Sequence, residues 1–186
     1  MHLTLENYQR TSPKKIISQL RSLEMPTKNS DKFSWKSWND IDETQGIYVI
    51  YLNPKCTIKK HAFFGLTTAG KKENLKLSVT QDHLASLSEK WGKIPLYVGR
   101  STNIQKRLRH HLQLTKTKAI FSDSSSSNKF RNRLEMLFSK KRNFQKLILE
   151  NITLEYFPEP DPIKRFFLEQ DIITLLQPPF NIDIER

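Results

Sequence analysis

Two tyrosines, an arginine and a histidine four positions apart, and one glutamate are the residues of this chain best placed to do chemistry. Tyr97 ends the apolar run IPLY and is followed by VGRSTNIQKRLRHH, a segment dense in Arg, Lys and His. A free phenol ionises near pH 10 and is idle as a base at neutral pH. Cations close by favour its charged form. Tyr97 is therefore either one more core aromatic or a phenol tuned to give up its proton, and the stretch alone supports both. Tyr48, in GIYVIYL, reads by itself as a core residue whose hydroxyl needs a partner. Arg107 and His111 stand one helical turn apart, beside the apolar ridge of Leu108 and Leu112. Lys106, Arg109 and His110 point elsewhere, as phosphate-contacting or simply solvated groups. Glu169 is flanked by Phe166 at −3 and by Ile172, Ile173 and Leu176 at +3, +4 and +7, which places its carboxylate inside an apolar stripe. An unpaired buried carboxylate is costly. Glu169 must form a salt bridge, be protonated, or face a cleft that holds a cation. Asp171 falls off the stripe and reads as a solvated acid.

The bulk properties fit a polyanion partner. The chain has 186 residues, 37% of them apolar, and a formal net charge of +12. Residues 100–146 carry thirteen Lys or Arg against two acids, Asp123 and Glu135, a surplus of eleven. Clustering of this kind is the footprint of nucleic acid rather than of solubility alone. No apolar run is long enough to span a bilayer, no basic helix carries an exposed Trp- or Leu-rich face, and MHLTLENYQR lacks a signal pattern. The expectation is a cytoplasmic protein that does not act at a membrane. The single cysteine, Cys56, has no partner for a disulfide or a thiolate metal site.

The elements that must position these residues can be read from periodicity and punctuation. SPKKIISQLRSL, 12–23, reads as an amphipathic helix with Ser12 as cap and Pro13 in its first turn. Phe33, Trp35, Trp38 and Ile41 must find cover, on the domain or on a second subunit. GIYVIYL, 46–52, is a buried strand and Asn53-Pro54 a turn. Residues 61–75 read as polar and irregular. Thr80 to Gly92 is a short helix, with Thr80 as cap, Leu84, Leu87 and Trp91 inward and Gly92 as stop. IPLYVG is a second strand. A helix from Asn103 carries Ile104, Leu108 and Leu112 inward. SDSSSSN, 122–128, is a low-complexity loop. A second basic helix over 128–144 puts Phe130, Leu134, Leu137 and Phe138 inside and Arg131, Arg133, Lys140, Lys141 and Arg142 outside. NITLEYF, 151–157, alternates as a strand, and Asp161-Pro162 opens a helix that runs to about Leu176, before Pro178-Pro179. The fold class is α/β (α+β): a small, mainly antiparallel sheet flanked by helices.

Taken together, these residues resemble the GIY-YIG nuclease family. Gly46-Ile47-Tyr48 matches its first motif and Tyr97-Val98-Gly99 its second. Arg107 lies ten residues after Tyr97, at the family's arginine, and His111 at +14, as in the homing and restriction branches; the repair-excision branch usually has a tyrosine there. Glu169 in FLEQDIITLLQPPFN matches the helix glutamate, and Asn181, twelve residues later, the terminal asparagine. The resemblance covers Gly46 to Asn181. One departure stands out: the two tyrosines are 49 residues apart, where compact members have a tight hairpin. This leaves a 1–45 N-terminal extension and a 46–186 nuclease domain, with an insertion over about 53–94.

The resemblance implies DNA as substrate and a single divalent cation, Mg²⁺ with Mn²⁺ as substitute, held by Glu169 with water. It implies Tyr97 as general base, its phenolate favoured by Arg100, Arg107 and the metal, with His111 as the fallback base. Arg107 would hold the scissile phosphate, His111 and Tyr48 would orient the reacting groups, and Asn181 would fix the glutamate helix or the tyrosine geometry. Arg100, Lys106, Arg109, His110, Arg131 and Arg133 are the expected DNA contacts, with Asn132 beside them. The chain's shortness, the absence of a recognisable second DNA-binding domain, and His111 favour a restriction-type endonuclease. A symmetric homodimer would let two sites cut two strands. The alternatives are a structure-specific repair or mobile-element nuclease, and a nucleic-acid-binding module without catalysis.

Overall fold

A computed structural model describes residues 12–29, 32–34, 36–56, 61–68, 71–112, 114, 130–131, 133–134, 137–138 and 144–181. Its centre is Gly46–Leu52 (β4), buried at every position. GIYVIYL shows no polar alternation because the strand is covered on both faces and paired on both edges. On one edge it pairs antiparallel with Ile94–Ser101 (β7), on the other with Ile152–Pro158 (β8). Arg21–Leu23 (β1) pairs with β8 on its far side, giving the sheet order β1-β8-β4-β7. This is the small antiparallel sheet with flanking helices expected of an α/β (α+β) chain.

The two sheet faces build two core clusters. One gathers Tyr48, Ile50, Leu52, Leu96, Ile104, Leu108, Leu112 and Phe130, with Trp38 and Ile41 packed among them. The other gathers Ile47, Val49, Tyr51 and Val98 with Leu168, Ile172 and Leu176. Ile104–Leu112 (α3) covers the first face. Pro162–Leu176 (α5) covers the second, started by Asp161, whose carboxylate accepts from the N–H groups of Ile163 and Lys164. Pro13–Ser18 (α1) packs on α5, and Gln81–Trp91 (α2) precedes β7. In α2 the Thr80 hydroxyl caps the first turn and Gly92, at φ 70°, ends the helix in the left-handed region. Phe144–Asn151 (α4) leads into β8.

Two expectations need correction, and one helix was not anticipated. The 12–23 segment is not one helix: α1 stops at Ser18 and Arg21–Leu23 becomes a strand. The open edge of β8 needs a backbone partner, and pairing outweighs helix periodicity over three residues. Ile16 and Leu23 consequently lie in different clusters, not along one stripe. Residues 61–75 are not irregular. His61–Thr68 (β5) and Lys71–Thr80 (β6) form an antiparallel hairpin inside the insertion; the alternation of Leu75, Leu77 and Val79 was its signal. Within the basic helix expected over 128–144, Phe130, Arg131, Arg133, Leu134 and Leu137 are helical, and Phe144–Asn151 forms a helix with no counterpart among the expected elements. Thr27–Asn29 (β2) and Lys32–Ser34 (β3) make a further small hairpin. Trp35, Asn132, Lys140, Lys141, Arg142 and the 122–128 loop lie outside the described residues. No helix among the described residues is long and apolar enough to cross a membrane.

Candidate active site

The site grows from one irregularity in β7. Pairing with β4 runs Tyr48↔Gly99, Val49↔Val98 and Ile50↔Tyr97, then shifts so that Tyr51 faces Pro95. Leu96 is left over as a bulge. An extra residue breaks the alternation of a strand and re-aims its side chains. Leu96 and Tyr97 thus both pack on the face that carries Tyr48 and Ile50.

Glycine then makes room. A methyl group at Gly99 would overlap the Tyr48 phenol and come within 2.8 Å of Tyr97 Cε1. Bare backbone at that position lets the Tyr48 ring lie across β7 beside Tyr97, with centroids 6.1 Å apart. Gly46 has a matching role on the other edge, where a methyl would overlap the Phe157 carbonyl oxygen of β8.

The C-terminal turn locks the strand. β7 is an edge strand, and its outward amide groups need partners. Asn181 supplies them with one side chain: Oδ1 accepts from Val98 N at 2.7 Å and Nδ2 donates to Val98 O at 2.7 Å. The Phe180 N–H donates to the bulged Leu96 carbonyl at 3.0 Å. Asn181 therefore clamps the residue between Tyr97 and Gly99, and the tyrosine rather than the glutamate helix is what it positions.

α3 brings the charges. Its amphipathic face sends Ile104, Leu108 and Leu112 into the core, and His111, on the same side, is fully buried. His111 Nε2 and the Tyr48 hydroxyl share a hydrogen bond of 2.8 Å. The His111 ring lies 5.3 Å from Tyr97 and 4.9 Å from Phe130, in an aromatic chain that continues to Phe180. Burial first, then the charges of Arg107 and His110, push the His111 pKa well below 6.5, so the ring is neutral. Its Nδ1 has no hydrogen-bond partner among the described residues. Arg107, half-buried, lies beside both the Tyr48 and the Tyr97 phenols, and its charge favours their ionised forms.

The phenols do not behave as the sequence suggests. Burial raises the Tyr97 pKa; Arg107 and a hydrogen bond from Tyr48 oppose it, and the Glu169 charge adds to it, for a net rise. Burial and the neighbouring Tyr97 push Tyr48 higher still. The expected lowering of the Tyr97 pKa is thus reversed: with protein groups alone, desolvation outweighs the one guanidinium, and the resting phenol is neutral.

Glu169 comes from α5 on the other side of the sheet's end. Its Oε2 accepts from Arg100 Nη1 at 2.9 Å, and its side chain is 13% exposed against 39% for Arg100. The glutamate that the apolar stripe made suspicious is paired, at the rim of the core. Two neighbours depart from the expected stripe. Phe166 is turned outward, and Asp171 is buried, because the face of α5 beside Glu169 opens onto solvent while the helix's other side meets the domain.

Arg107 and Arg100 both line a cleft of about 310 Å³, with Ser101, Thr102 and Arg165. Arg165 was not anticipated, though it sits one turn before Glu169 on α5 and the i, i+4 rule could have found it. It is almost fully buried and donates to Gln45 Oε1 at 3.1 Å and to the Glu159 carbonyl at 2.8 Å. Three guanidiniums around one opening suit a phosphate.

The remaining cations divide. Lys106 and His110 are exposed on α3 and Arg109 is half-buried. Arg131 does not point outward as expected: it is 1% exposed, donates to the Leu112 carbonyl and stacks on Phe144 at 4.0 Å. Buried like this it braces α3 against the helical residues around it and cannot reach DNA. Arg133 is half-buried and donates to the Phe180 carbonyl at 2.6 Å, which holds the turn carrying Asn181.

Among the described residues no group of three or more His, Cys, Asp or Glu could hold a metal ion. Glu169 is joined to the cleft through the cleft-lining Arg100, and a lone carboxylate completed by water suits a hydrated hard cation such as Mg²⁺ rather than zinc. Arg100 Nη1 donates to Glu169 Oε2, so an ion held by this carboxylate would compete with that guanidinium.

A family model described as the GIY-YIG catalytic domain matches residues 46–186. No curated protein and no solved structure matches the chain.

Proposed function

Since the chain belongs to the GIY-YIG nuclease family, we propose that it is a divalent-metal-dependent DNA endonuclease of restriction type. The observation that carries this reading is convergence. Tyr48, Tyr97, Arg107 and His111 form one hydrogen-bonded and stacked cluster, Asn181 pins its backbone, and Arg107 joins it to the cleft where Arg100 meets Glu169. A purely DNA-binding module has no use for buried phenols tied to an arginine and an imidazole.

In this reading Arg107 binds the scissile phosphate and stabilises the charge that grows on it in the transition state. Arg165 and Arg100 hold the flanking oxygens. Glu169 would hold the divalent ion, Mg²⁺ or Mn²⁺, which when bound neutralises phosphate charge. Arg100 bonds Glu169 through Nη1 and adds its charge to those of Arg107 and Arg165 at the phosphate. Tyr97 acts as its phenolate: it first releases its own proton to solvent and then accepts the proton of the attacking water, with the Arg107 charge favouring that form against the rise that burial imposes. His111 is the weaker candidate base. It is buried, neutral and committed to Tyr48, and its role is to orient that hydroxyl. Lys106, Arg109 and His110 contact the DNA backbone alongside. Residues 1–45 act as an extension on the 46–186 domain, and the β5–β6 hairpin with α2 makes up the insertion that reads DNA. A homodimer would deliver paired cuts.

Incubation with plasmid and phage DNA, in Mg²⁺ or in EDTA, tests the reading. Discrete bands in Mg²⁺ and none in EDTA are expected, and Glu169→Ala should abolish them while still shifting DNA on a gel. A smear would point to the structure-specific or non-specific alternative. Tight binding with no cutting under any metal would leave only the binding module.

A further inference from the structure

Phe166 is a large apolar side chain that stands 43% exposed. It stands one helical turn before Glu169 on α5. The Arg100 guanidinium carbon lies 4.6 Å from its ring centroid, and the same guanidinium bonds Glu169. Phe167 meets the ring edge-on, with centroids 5.5 Å apart and planes at 79°. Phe166 is therefore held at a set angle, stacked by an arginine that also lines the cleft with Arg107 and Arg165.

An aromatic ring layered with a guanidinium beside a phosphate-sized cationic opening is the chemistry that grips an unstacked nucleobase. The apolar surface nearest to any phosphate seated among these arginines is the base of the adjoining nucleotide. We propose that Phe166, backed by Arg100, is a stacking platform for the nucleobase next to the phosphate in the cleft. Charge favours this occupant over a second copy of the chain, because a copy would bring its own basic surface against Arg100, Arg107 and Arg165. The platform reads no base identity, since every base has a π-face. It favours DNA whose local step unstacks readily, because the unstacking cost is least there.

This inference rests on the nuclease reading, and the experiment separates the two. Binding of a short labelled duplex to the full chain is measured in EDTA over a range of salt, and cutting of plasmid in Mg²⁺ is measured in parallel. Phe166→Ala should weaken binding about tenfold, with an unchanged slope of log affinity against log salt because no charge is removed. Phe166→Trp should restore affinity, and its added emission should be quenched by DNA. A duplex with a mismatch beside the cut should bind more tightly to the wild type but not to Phe166→Ala. If Phe166→Ala binds and cuts like a wild type that cuts, the platform is refuted and the nuclease reading stands. If the wild type neither binds nor cuts DNA, the nuclease reading fails and the platform with it. If Phe166→Trp emission instead shifts with protein concentration in the absence of DNA, and Phe166→Ala sediments as a smaller species, the ring belongs to a dimer contact and the proposal is overturned.

Discussion

Tyr48 and Tyr51 sit three residues apart on one strand, equally buried, and on opposite faces of the sheet. The Tyr48 hydroxyl meets His111 Nε2 at 2.8 Å, with Arg107 and Tyr97 around it. The Tyr51 hydroxyl has no hydrogen-bond partner among the described residues. The Lys93 ammonium lies 4.1 Å from the Tyr51 ring and is ion-paired with Glu155. Burial raises both phenols' pKa, but at Tyr48 Arg107 opposes the rise while at Tyr51 the Glu155 carboxylate adds to it. Buried tyrosine is thus not the mark of this site. The mark is a phenol set beside a guanidinium, whose charge favours the phenolate against the phenol's own burial.

The comparison can be broken first at Gly99. Gly99→Ala forces the Tyr48 and Tyr97 rings to shift, since the added methyl would overlap the first and crowd the second. It should cost about 1–3 kcal/mol of stability and reduce cutting at least tenfold, read by thermal melts and plasmid cleavage. The paired substitutions sharpen the contrast. Tyr48→Phe should slow cleavage by about ten- to a hundredfold at saturating DNA, in line with loss of one positioned proton-transfer partner. Tyr51→Phe should leave cleavage unchanged and stability unchanged or higher, because the hydroxyl it removes is buried without a hydrogen bond. Equal effects from the two would erase the distinction.

pH gives two weaker handles. Below 6.5 the unfolded chain takes up a proton on His111 that the folded chain resists, so stability should fall with acid from that value down to the folded pKa. The slope from this one group reaches about 1.4 kcal/mol per pH unit, and His111→Gln should remove it from denaturant titrations. The cleavage rate should keep rising past neutral pH, since the Tyr97 pKa is raised. A His111 base would make the rate level off above its pKa.

The site was legible in outline because its spacings are local or motif-bound: Arg107 and His111 on one turn, Glu169 inside a stripe, Tyr-Val-Gly at a strand end. What stayed hidden depends on tertiary partners. The bulge at Leu96 shows only in pairing with β4. Arg131 turned inward because Leu112 and Phe144 await it, and no pattern of charge in sequence distinguishes a buried arginine from a solvated one. β1 escaped notice because an edge of β8 decides its conformation. The β5–β6 hairpin was missed for a different reason: its alternation was present, and its many polar residues obscured it.

The most direct measurement is the single-turnover cleavage rate of Tyr97→Phe in Mg²⁺, with DNA affinity measured alongside. The variant keeps the ring that packs on Phe130 and His111 and removes only the hydroxyl. A fall of at least about a hundredfold with affinity unchanged is the predicted result. Cleavage at the wild-type rate would contradict the account, because it would leave the buried phenol as nothing more than a core aromatic.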